Sequence, residues 1–188
     1  MNYTEKELSD MGIQFGDNVQ IHRTVLFFGE NIQIGSNVRV DCYSVITSGK
    51  PVILGNNIHI GAGGHIFGTN GVTINDFCNL SSRCSIFTAS DDYTQGYLTN
   101  PMISEEFKCV TYAPVMIEKH VIVGCGSVIM PGVTLGTGAS VGALSFVNKD
   151  VPEFYIVGGT PIKTLGRRNK DRLLEIERLF TDKMNKTK

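Results

Sequence analysis

Two adjacent carboxylates, Asp91 and Asp92, lie in an irregular stretch of the chain and are the first candidates for chemistry. A carboxylate can bind and orient an amino group and then accept its proton. It is a weaker base for a hydroxyl group than an imidazole, because its ordinary pKa is about 4 and that of histidine about 6.5. Asp is also common in turns, so both residues could instead be local structural residues.

Two histidines and an asparagine are further candidates, each with a structural alternative. His120 follows the irregular stretch and could lie near a reacting group, or be a corner residue bonded to backbone. His59 could be a catalytic base or bind a substrate, with Asn79 and Asp92 as substrate-binding residues. The alternative for His59 and Asn79 is a polar surface buried against a neighbouring subunit.

The elements that must position these residues repeat every six residues. From Ile117 to Pro152 the chain divides into six blocks, and each opens with an aliphatic residue: Ile117, Val123, Ile129, Leu135, Val141 and Val147. The fifth place of each block is small or β-branched: Val121, Ser127, Val133, Ala139, Ser145 and Val151. A period of six residues does not match the periodicity of an α-helix. The pattern predicts an all-β coil with three flat sides, in which each turn stacks on the one below.

The same format fills most of residues 15–85. Ile34, Leu54 and Ile74 are twenty residues apart, which predicts turns of three sixes plus a two-residue bulge. The sixth place of each block should point outward, because its neighbours on both sides point inward. A polar column of Arg39, His59 and Asn79 is therefore predicted on one side, and a corresponding outward column of Val45, His65 and Ser85 on the next. On this register His59 and His65 should not meet within one chain.

The repeat is interrupted once and capped at both ends. Residues 86–116 lack periodicity, and a long irregular loop inside a compact repeat is usually functional. Thr4 and Glu7 form a capping box for a helix over residues 4–11. Asn169 is a plausible cap for a helix over 169–184, whose apolar stripe is Leu173, Ile176, Leu179 and Phe180. We therefore expect a helical cap (1–14), a β-helix domain (15–152, with loop 86–116) and a C-terminal segment with a helix (153–188).

Composition excludes several classes of protein. The net charge of −1 argues against a nucleic-acid surface. No apolar run approaches the roughly 20 residues that span a membrane, and the polar N-terminus does not resemble a secretory signal. Of the five cysteines, Cys78 and Cys84 occupy small interior places of the repeat and are expected to be reduced core residues. These features favour a cytoplasmic protein.

The combination of the repeat, the long loop and a segment rich in cations after the coil resembles the hexapeptide-repeat acyltransferases. The likeness is greatest where IFTASDD, the loop, HVIVGCGSVIMPGVTLGTGASVGALSFVNKDVP and VGGTPIK follow in order. That arrangement is similar to the galactoside and maltose O-acetyltransferases. The loop sequence DDYTQGYLTNP more closely resembles that of enzymes that acylate nucleotide-linked 4-amino-4,6-dideoxy sugars for bacterial O-antigen. The resemblance alone implies a left-handed parallel β-helix, since crossovers are otherwise right-handed.

The resemblance also implies a homotrimer that holds acetyl-CoA between neighbouring coils and needs no metal. By position, the pantetheine should pass Cys125 and Ala143, and the adenosine phosphates should lie near Asn148, Lys149 and Lys163. From the residues alone, the cations at the exit from the coil could bind phosphate charges or form a solvated surface. These cations are Lys149, Lys163, Arg167 and Arg168.

Two departures from the O-acetyltransferases change the expected acceptor. In that group a histidine base follows a Thr-Ala-Thr-like triplet, whereas Thr88-Ala89-Ser90 is followed here by Asp91, and Ile122 replaces a tryptophan. A neutral amine is a good nucleophile without a strong base. The expected activity is therefore N-acetylation of a nucleotide-linked amino sugar, with sugar O-acetylation as the alternative.

Two other classes of protein stay open. One is a zinc enzyme similar to the γ-class carbonic anhydrases. Its three ligands would be His59, His65 and His120 converging across a subunit boundary. The other is a non-catalytic β-helix scaffold.

Overall fold

The computed structural model describes residues 1–186 and consists mainly of short strands, as six residues per side with a corner between sides require. The strands are β1 (Gln14–Phe15), β2 (Gln20–Ile21), β3 (Leu26–Phe28), β4 (Ile32–Ile34), β5 (Val38–Val40), β6 (Val45–Ser48), β7 (Val52–Leu54), β8 (Ile58–Ile60), β9 (His65–Gly68), β10 (Val72–Ile74), β11 (Asn79–Leu80), β12 (Ser85–Phe87), β13 (Ala89–Ser90), β14 (Thr111–Tyr112), β15 (Val115–Ile117), β16 (Ile122–Val123), β17 (Val128–Ile129), β18 (Thr134–Leu135), β19 (Ser140–Val141), β20 (Phe146–Val147), β21 (Tyr155–Gly158) and β22 (Lys163–Arg167).

The strands form three sheets, one for each side of the coil. Sheet 1 has the order β1-β4-β7-β10-β15-β18, sheet 2 the order β2-β5-β8-β11-β16-β19-β21-β22, and sheet 3 the order β3-β6-β9-β12-β17-β20. Neighbouring strands are parallel except β21 and β22, which are antiparallel. Ile34, Leu54 and Ile74 are direct partners in sheet 1. The parallel β-helix predicted from the period of six is confirmed.

The core is the inside of this prism. All six block-opening residues from Ile117 to Val147 are buried, and so are the six fifth-place residues. Ser127 and Ser145 are tolerated there because their hydroxyl groups donate to the carbonyl oxygens of Gly124 and Gly142. Burial raises the pKa of Cys78 to about 12 and that of Cys84 to about 11, so both are inert thiols.

The corners between sheets stack into columns. In the 1–2 corner, between sheets 1 and 2, the residues with positive φ are Asn18, Asn37, Asn57, Phe77, His120, Gly138 and Phe154. The 2–3 corner consists of residues 22–24, 41–43, 61–63, 81–83, 124–126, 142–144 and 158–160, linked by backbone hydrogen bonds from turn to turn. These columns run the length of the coil, so residues far apart in sequence share a ridge.

The loop leaves the coil at the third corner, between sheets 3 and 1. β12 keeps Ile86 in the core and β15 restores the coil at Val115, so the excursion runs from residue 88 to 114 rather than from 86 to 116. Its base is the antiparallel pair β13–β14. Sheet 2 also continues beyond residue 152, because β21 pairs in parallel with β19.

Two helices flank the coil. α1 (Glu5–Asp10) has the predicted capping box between Thr4 and Glu7, and α2 (Lys170–Asn185) is capped by Asn169. The apolar stripe of α2 is only partly covered, since Ile176 is 45% exposed and Leu179 is 51% exposed. Neither helix of the described chain is long and apolar enough to cross a membrane.

Candidate active site

Asp91 lies at the rim of an open pocket beside the C-terminal turns of sheet 3. The pocket has a volume of about 730 Å³. Its wall combines an apolar sheet face with the start of the loop: Phe87, Ala89, Ser90, Asp91, Tyr93, Val128, Met130 and Phe146. A carboxylate therefore faces a space large enough for a small organic substrate, over apolar side chains.

The triplet before Asp91 fixes where the loop leaves the coil. The Thr88 side chain is fully buried, and its hydroxyl donates to the Phe67 carbonyl oxygen at 2.8 Å and accepts from the Asn70 amide at 2.9 Å. Ala89 and Ser90 then form β13 against β14. Asp91 follows directly, so its position is set by the buried threonine and by this two-stranded ladder.

The two aspartates have different roles in the loop. The Asp92 carboxylate accepts backbone N–H groups from Thr94, Gln95 and Tyr97 at 2.9 to 3.2 Å. These bonds lower the pKa of Asp92, and the bonds from Thr94 and Gln95 contribute most. No hydrogen-bond donor of residues 1–186 reaches the Asp91 carboxylate, which is half-buried. The turn role that the sequence left open thus describes Asp92, while Asp91 keeps its acceptor oxygens available.

One cation lies near Asp91 inside the loop. The Lys108 side chain is only 6% exposed and its ammonium group bonds Glu105 at 2.7 Å. That bond raises the pKa of Lys108, and the charges of Tyr112 and Asp91 act in the same direction. Lys108 thus remains an ammonium ion within electrostatic reach of Asp91.

The outward polar column of Arg39, His59 and Asn79 is confirmed, and it includes a residue that the sequence analysis missed. His59 Nδ1 lies 2.8 Å from Asn79 Oδ1, and its Nε2 lies 2.9 Å from Asp41 Oδ2. Burial raises the pKa of Asp41, but hydrogen bonds from His59 and Arg39 outweigh it and leave the pKa below its ordinary value. Asp41 begins a 2–3 corner one turn before His59, which the column register alone does not show.

His120 lies in the 1–2 corner beneath α2, away from the loop. Its φ is +64°, and its ring is 6% exposed and stacks on Phe77 with centroids 5.1 Å apart. Nε2 lies 2.8 Å from the Glu177 carboxylate, which also binds Lys119. Within one chain the structure does not bring His120 to Asp91; its side chain anchors α2 instead.

Cys125 and Ala143 occupy successive turns of the 2–3 corner and are both exposed. The Leu144 amide donates to the Cys125 carbonyl oxygen at 2.8 Å, which stacks the two corners. Ser81 lies in the next corner toward the N-terminus, where the Gly126 amide donates to the Ser82 carbonyl oxygen. The three residues therefore line one ridge, at the opposite end of β12 from Asp91.

The cations at the exit from the coil are separated by the structure. Lys163 opens β22, next to Ile162, whose amide donates to the Phe146 carbonyl oxygen just before Asn148 and Lys149. Arg167 lies at the other end of β22 and bonds the Tyr155 hydroxyl at 2.7 Å. The side chains of Asn148, Lys149, Lys163 and Arg167 are all exposed.

Arg168 belongs to a different environment from the other cations. Its guanidinium group donates to the carbonyl oxygens of His120 and Gly138, at 2.6 and 3.4 Å. It therefore satisfies the 1–2 corner and is not available to a ligand.

The three histidines of the zinc hypothesis do not converge within the described chain. His59 is bound to Asp41 and Asn79 on sheet 2, and His120 to Glu177 under α2. The His65 ring stacks on Phe67 on sheet 3, with centroids 5.8 Å apart.

Comparison with known proteins places this architecture in a family, although no protein-family model matches the chain. The chain is 41% identical over 179 residues to a dTDP-4-amino-4,6-dideoxy-D-glucose acyltransferase of Escherichia coli, covering 94% of this chain and 93% of the relative. The chain belongs to this family of hexapeptide-repeat acyltransferases. Its fold is accordingly the left-handed parallel β-helix.

Solved structures of acyltransferases agree with this assignment. AntD, an N-acyltransferase from Bacillus cereus, has a serine variant in complex with dTDP-4-amino-4,6-dideoxyglucose and coenzyme A. That structure matches with a TM-score of 0.92, 32% identity and 97% coverage of both chains. AntD with dTDP and 3-hydroxybutyryl-CoA matches with a TM-score of 0.92, 33% identity and 98% coverage of both chains.

Proposed function

We propose that the chain transfers an acetyl group from acetyl-CoA to the amino group of a nucleotide-linked amino sugar. The observation that carries the proposal is the Asp91 carboxylate, which lines a substrate-sized pocket with its oxygens unused. The hydroxyl-directed members that this chain resembles have a histidine at this place. A carboxylate suits an amine acceptor, because it binds the ammonium form and needs only to collect a proton.

The reaction requires little from the protein beyond placing the amine, the thioester and a proton acceptor close together. The neutral amine attacks the thioester carbonyl carbon, a C–N bond forms, and the C–S bond breaks with departure of the CoA thiolate. The amine loses one proton in this exchange, and Asp91 is the group placed to accept it.

The neighbour structures support the choice of Asp91. Variants of AntD in complex with dTDP and CoA were made at a serine and at an aspartate ten positions later. In this chain Ser81 and Asp91 have that spacing, as do Ser82 and Asp92. Since the Asp92 carboxylate already accepts three backbone N–H groups, the pair Ser81 and Asp91 is the one free to act on substrates.

A homotrimer would bring these two residues together. In one chain they lie at opposite ends of β12, so a site that uses both needs the 2–3 corner of one chain and the loop of another. The outward face of sheet 3, between those two corners, carries an apolar surface suited to subunit contact at its N-terminal end, where Leu26 and Phe28 are 51% and 57% exposed. In this arrangement sheet 3 faces the threefold axis.

Mixed oligomers test the shared site. Asp91→Asn removes the loop carboxylate, and Ala143→Trp blocks the 2–3 corner, so each variant alone should be inactive. Refolding the two together should restore part of the activity, because some sites then combine an intact corner with an intact loop. Absence of any recovery in verified mixed oligomers would place both residues in one chain's site.

The proposed donor is acetyl-CoA, with the pantetheine along Cys125 and Ala143 and the phosphates near Asn148, Lys149 and Lys163. The exposed side-chain amide of Asn148 and the exposed cations Lys149 and Lys163, near the end of β20, support that path. The five free cysteines support a reducing, cytoplasmic compartment for the protein.

The function is tested by following CoA thiol release from acetyl-CoA with dTDP-4-amino-4,6-dideoxyglucose, and separately with a simple galactoside. Turnover with the amino sugar and none with the galactoside is expected. Turnover with the galactoside alone would replace the proposal by sugar O-acetylation.

A further inference from the structure

The 2–3 corner holds a second group of polar residues beyond the donor path, in its N-terminal half. Arg39, Asp41, His59 and Asn79 form one hydrogen-bonded cluster beside it. A polar pocket of about 250 Å³ adjoins the cluster and is lined by Asn2, Gln20, His22, Arg39, Val40 and Asp41. Neither the donor nor the transfer chemistry of the preceding section uses this region.

Arg83 lies between this pocket and the donor corners. It occupies the 2–3 corner with a φ of +60° and is exposed. A Cβ built on Gly63 would lie 3.6 Å from Arg83 Cγ, so the arginine stem crosses the corner of the preceding turn. No acceptor among residues 1–186 bonds its guanidinium group, whereas Arg39 on the same ridge is paired with Asp41. Arg83 is therefore an exposed cation on this ridge that bonds no partner within residues 1–186.

The order of residues along the 2–3 corner indicates in which direction an acceptor molecule would extend from Ser81. Cys125 and Ala143 mark the proposed donor path, and Ser81 lies one turn toward the N-terminus. Once the donor fills the C-terminal corners, the rest of an acceptor whose amine reaches Ser81 has to extend past Gly63. With about 4.8 Å between turns, the corner of His22 lies about 14 Å from that of Ser81. That span suits an extended nucleoside diphosphate.

We propose that Arg83 binds the diphosphate of the acceptor and that the pocket around Gln20 and His22 receives its nucleoside. The guanidinium group matches phosphate oxygens in a bidentate manner. The bare corner of Gly61, Ala62 and Gly63 lets the diphosphate approach the coil. Donor and acceptor then lie end to end along one ridge. This inference rests on the proposed function and adds the recognition of the nucleotide.

The test compares dTDP with thymidine, which differ by the diphosphate alone. Arg83→Met should weaken dTDP binding about 10- to 100-fold and leave thymidine and CoA binding unchanged, since it removes charge-assisted hydrogen bonds. Arg83→Lys should recover part of the loss. Gln20→Trp, which fills the pocket, should weaken thymidine and dTDP to the same extent. Arg178→Met, an exposed arginine on α2, is the control and should change none of these.

The results separate this inference from the proposed function. If the wild-type chain neither acetylates the amino sugar nor binds dTDP, the proposed function fails. If it does both but Arg83→Met binds dTDP as tightly as wild type, only the assignment of Arg83 fails. A loss of CoA affinity equal to the loss of dTDP affinity would assign Arg83 to the donor phosphates instead.

Discussion

Neighbouring residues of one type differ here because of the hydrogen bonds around them. Asp91 and Asp92 are indistinguishable in the sequence, yet only Asp92 is bound by backbone N–H groups. A pattern of residue types cannot decide this, since it depends on how residues 94–97 turn back. Asp91 as a candidate was therefore predictable, whereas the difference between the two aspartates was not.

Replacing Asp91 by asparagine keeps the shape of the side chain and removes its charge. We expect kcat for the amino sugar to fall roughly 100-fold, within the range for loss of a proton acceptor. The control is Asp17→Asn, an exposed aspartate whose side chain makes no bond in the described chain. Steady-state kinetics at saturating acetyl-CoA measure the effect, and an unchanged kcat in Asp91→Asn would exclude Asp91 from the reaction.

Glycines in the corners can be compared in pairs. Gly138 has a φ of +70°, and a Cβ there would lie 2.5 Å from the Phe154 ring, whereas Gly12 has a φ of +75° and nothing within 4 Å. Gly12→Ala should cost only the backbone strain of about 1 kcal/mol. Gly138→Ala adds a steric clash and should lower the free energy of unfolding by more. Urea unfolding of both variants measures the difference, and equal losses would show that the Phe154 ring yields without cost.

Helix α2 shows what the sequence could and could not predict about an element. Its extent and its Asn169 cap follow from local signals and are confirmed. Its attachment through Glu177, His120 and Lys119 joins residues more than fifty positions apart, and no short-range pattern encodes that. This contact is why the side chain of His120, a catalytic candidate by position, lies under α2 and not beside Asp91 within one chain.

The anchor of α2 predicts a pH dependence. Burial raises the pKa of Glu177, but bonds from Lys119 and His120 outweigh it and lower the pKa. A carboxylate with a lowered pKa stabilises the fold above its unfolded pKa, and the contribution is lost as pH falls through the folded value. Wild type should therefore be more stable than Glu177→Gln at neutral pH, and the difference should shrink toward about pH 4 and below.

Thermal unfolding of the two proteins across this pH range measures the effect. Glu175→Gln is the control, because Glu175 forms only an exposed pair with Arg172. A difference between wild type and Glu177→Gln that stays constant with pH would show that the charge of Glu177 contributes nothing to the attachment of α2.

The molecule as a whole is held together by its stacked interior. The period of six predicted the three sides, the partners Ile34, Leu54 and Ile74, and the outward columns, because one inward residue per side is a geometric requirement. The same period says nothing about contacts between chains. The sequence therefore predicted the coil well and the site only in part, since the proposed site needs a corner and a loop from different subunits.

Removing one interior side chain tests this interior. Ile74 is completely buried, and Ile74→Ala should cost about 2–5 kcal/mol of unfolding free energy. Ile53, outward on the neighbouring strand and 37% exposed, is the matched control and should lose much less. Urea unfolding of both variants gives the comparison, and similar losses would contradict the assignment of inside and outside.

In the proposed reaction the acceptor atom is an amine nitrogen on a nucleotide-linked sugar. This assignment is tested most directly by measuring kcat/KM for two dTDP-6-deoxyglucose acceptors that differ only at C4, one with an amino group and one with a hydroxyl group. Because carboxylates are weak bases, we expect efficient transfer to the 4-amino sugar and negligible transfer to the 4-hydroxy sugar. Comparable kcat/KM values for the two acceptors, or a preference for the hydroxyl, would contradict it.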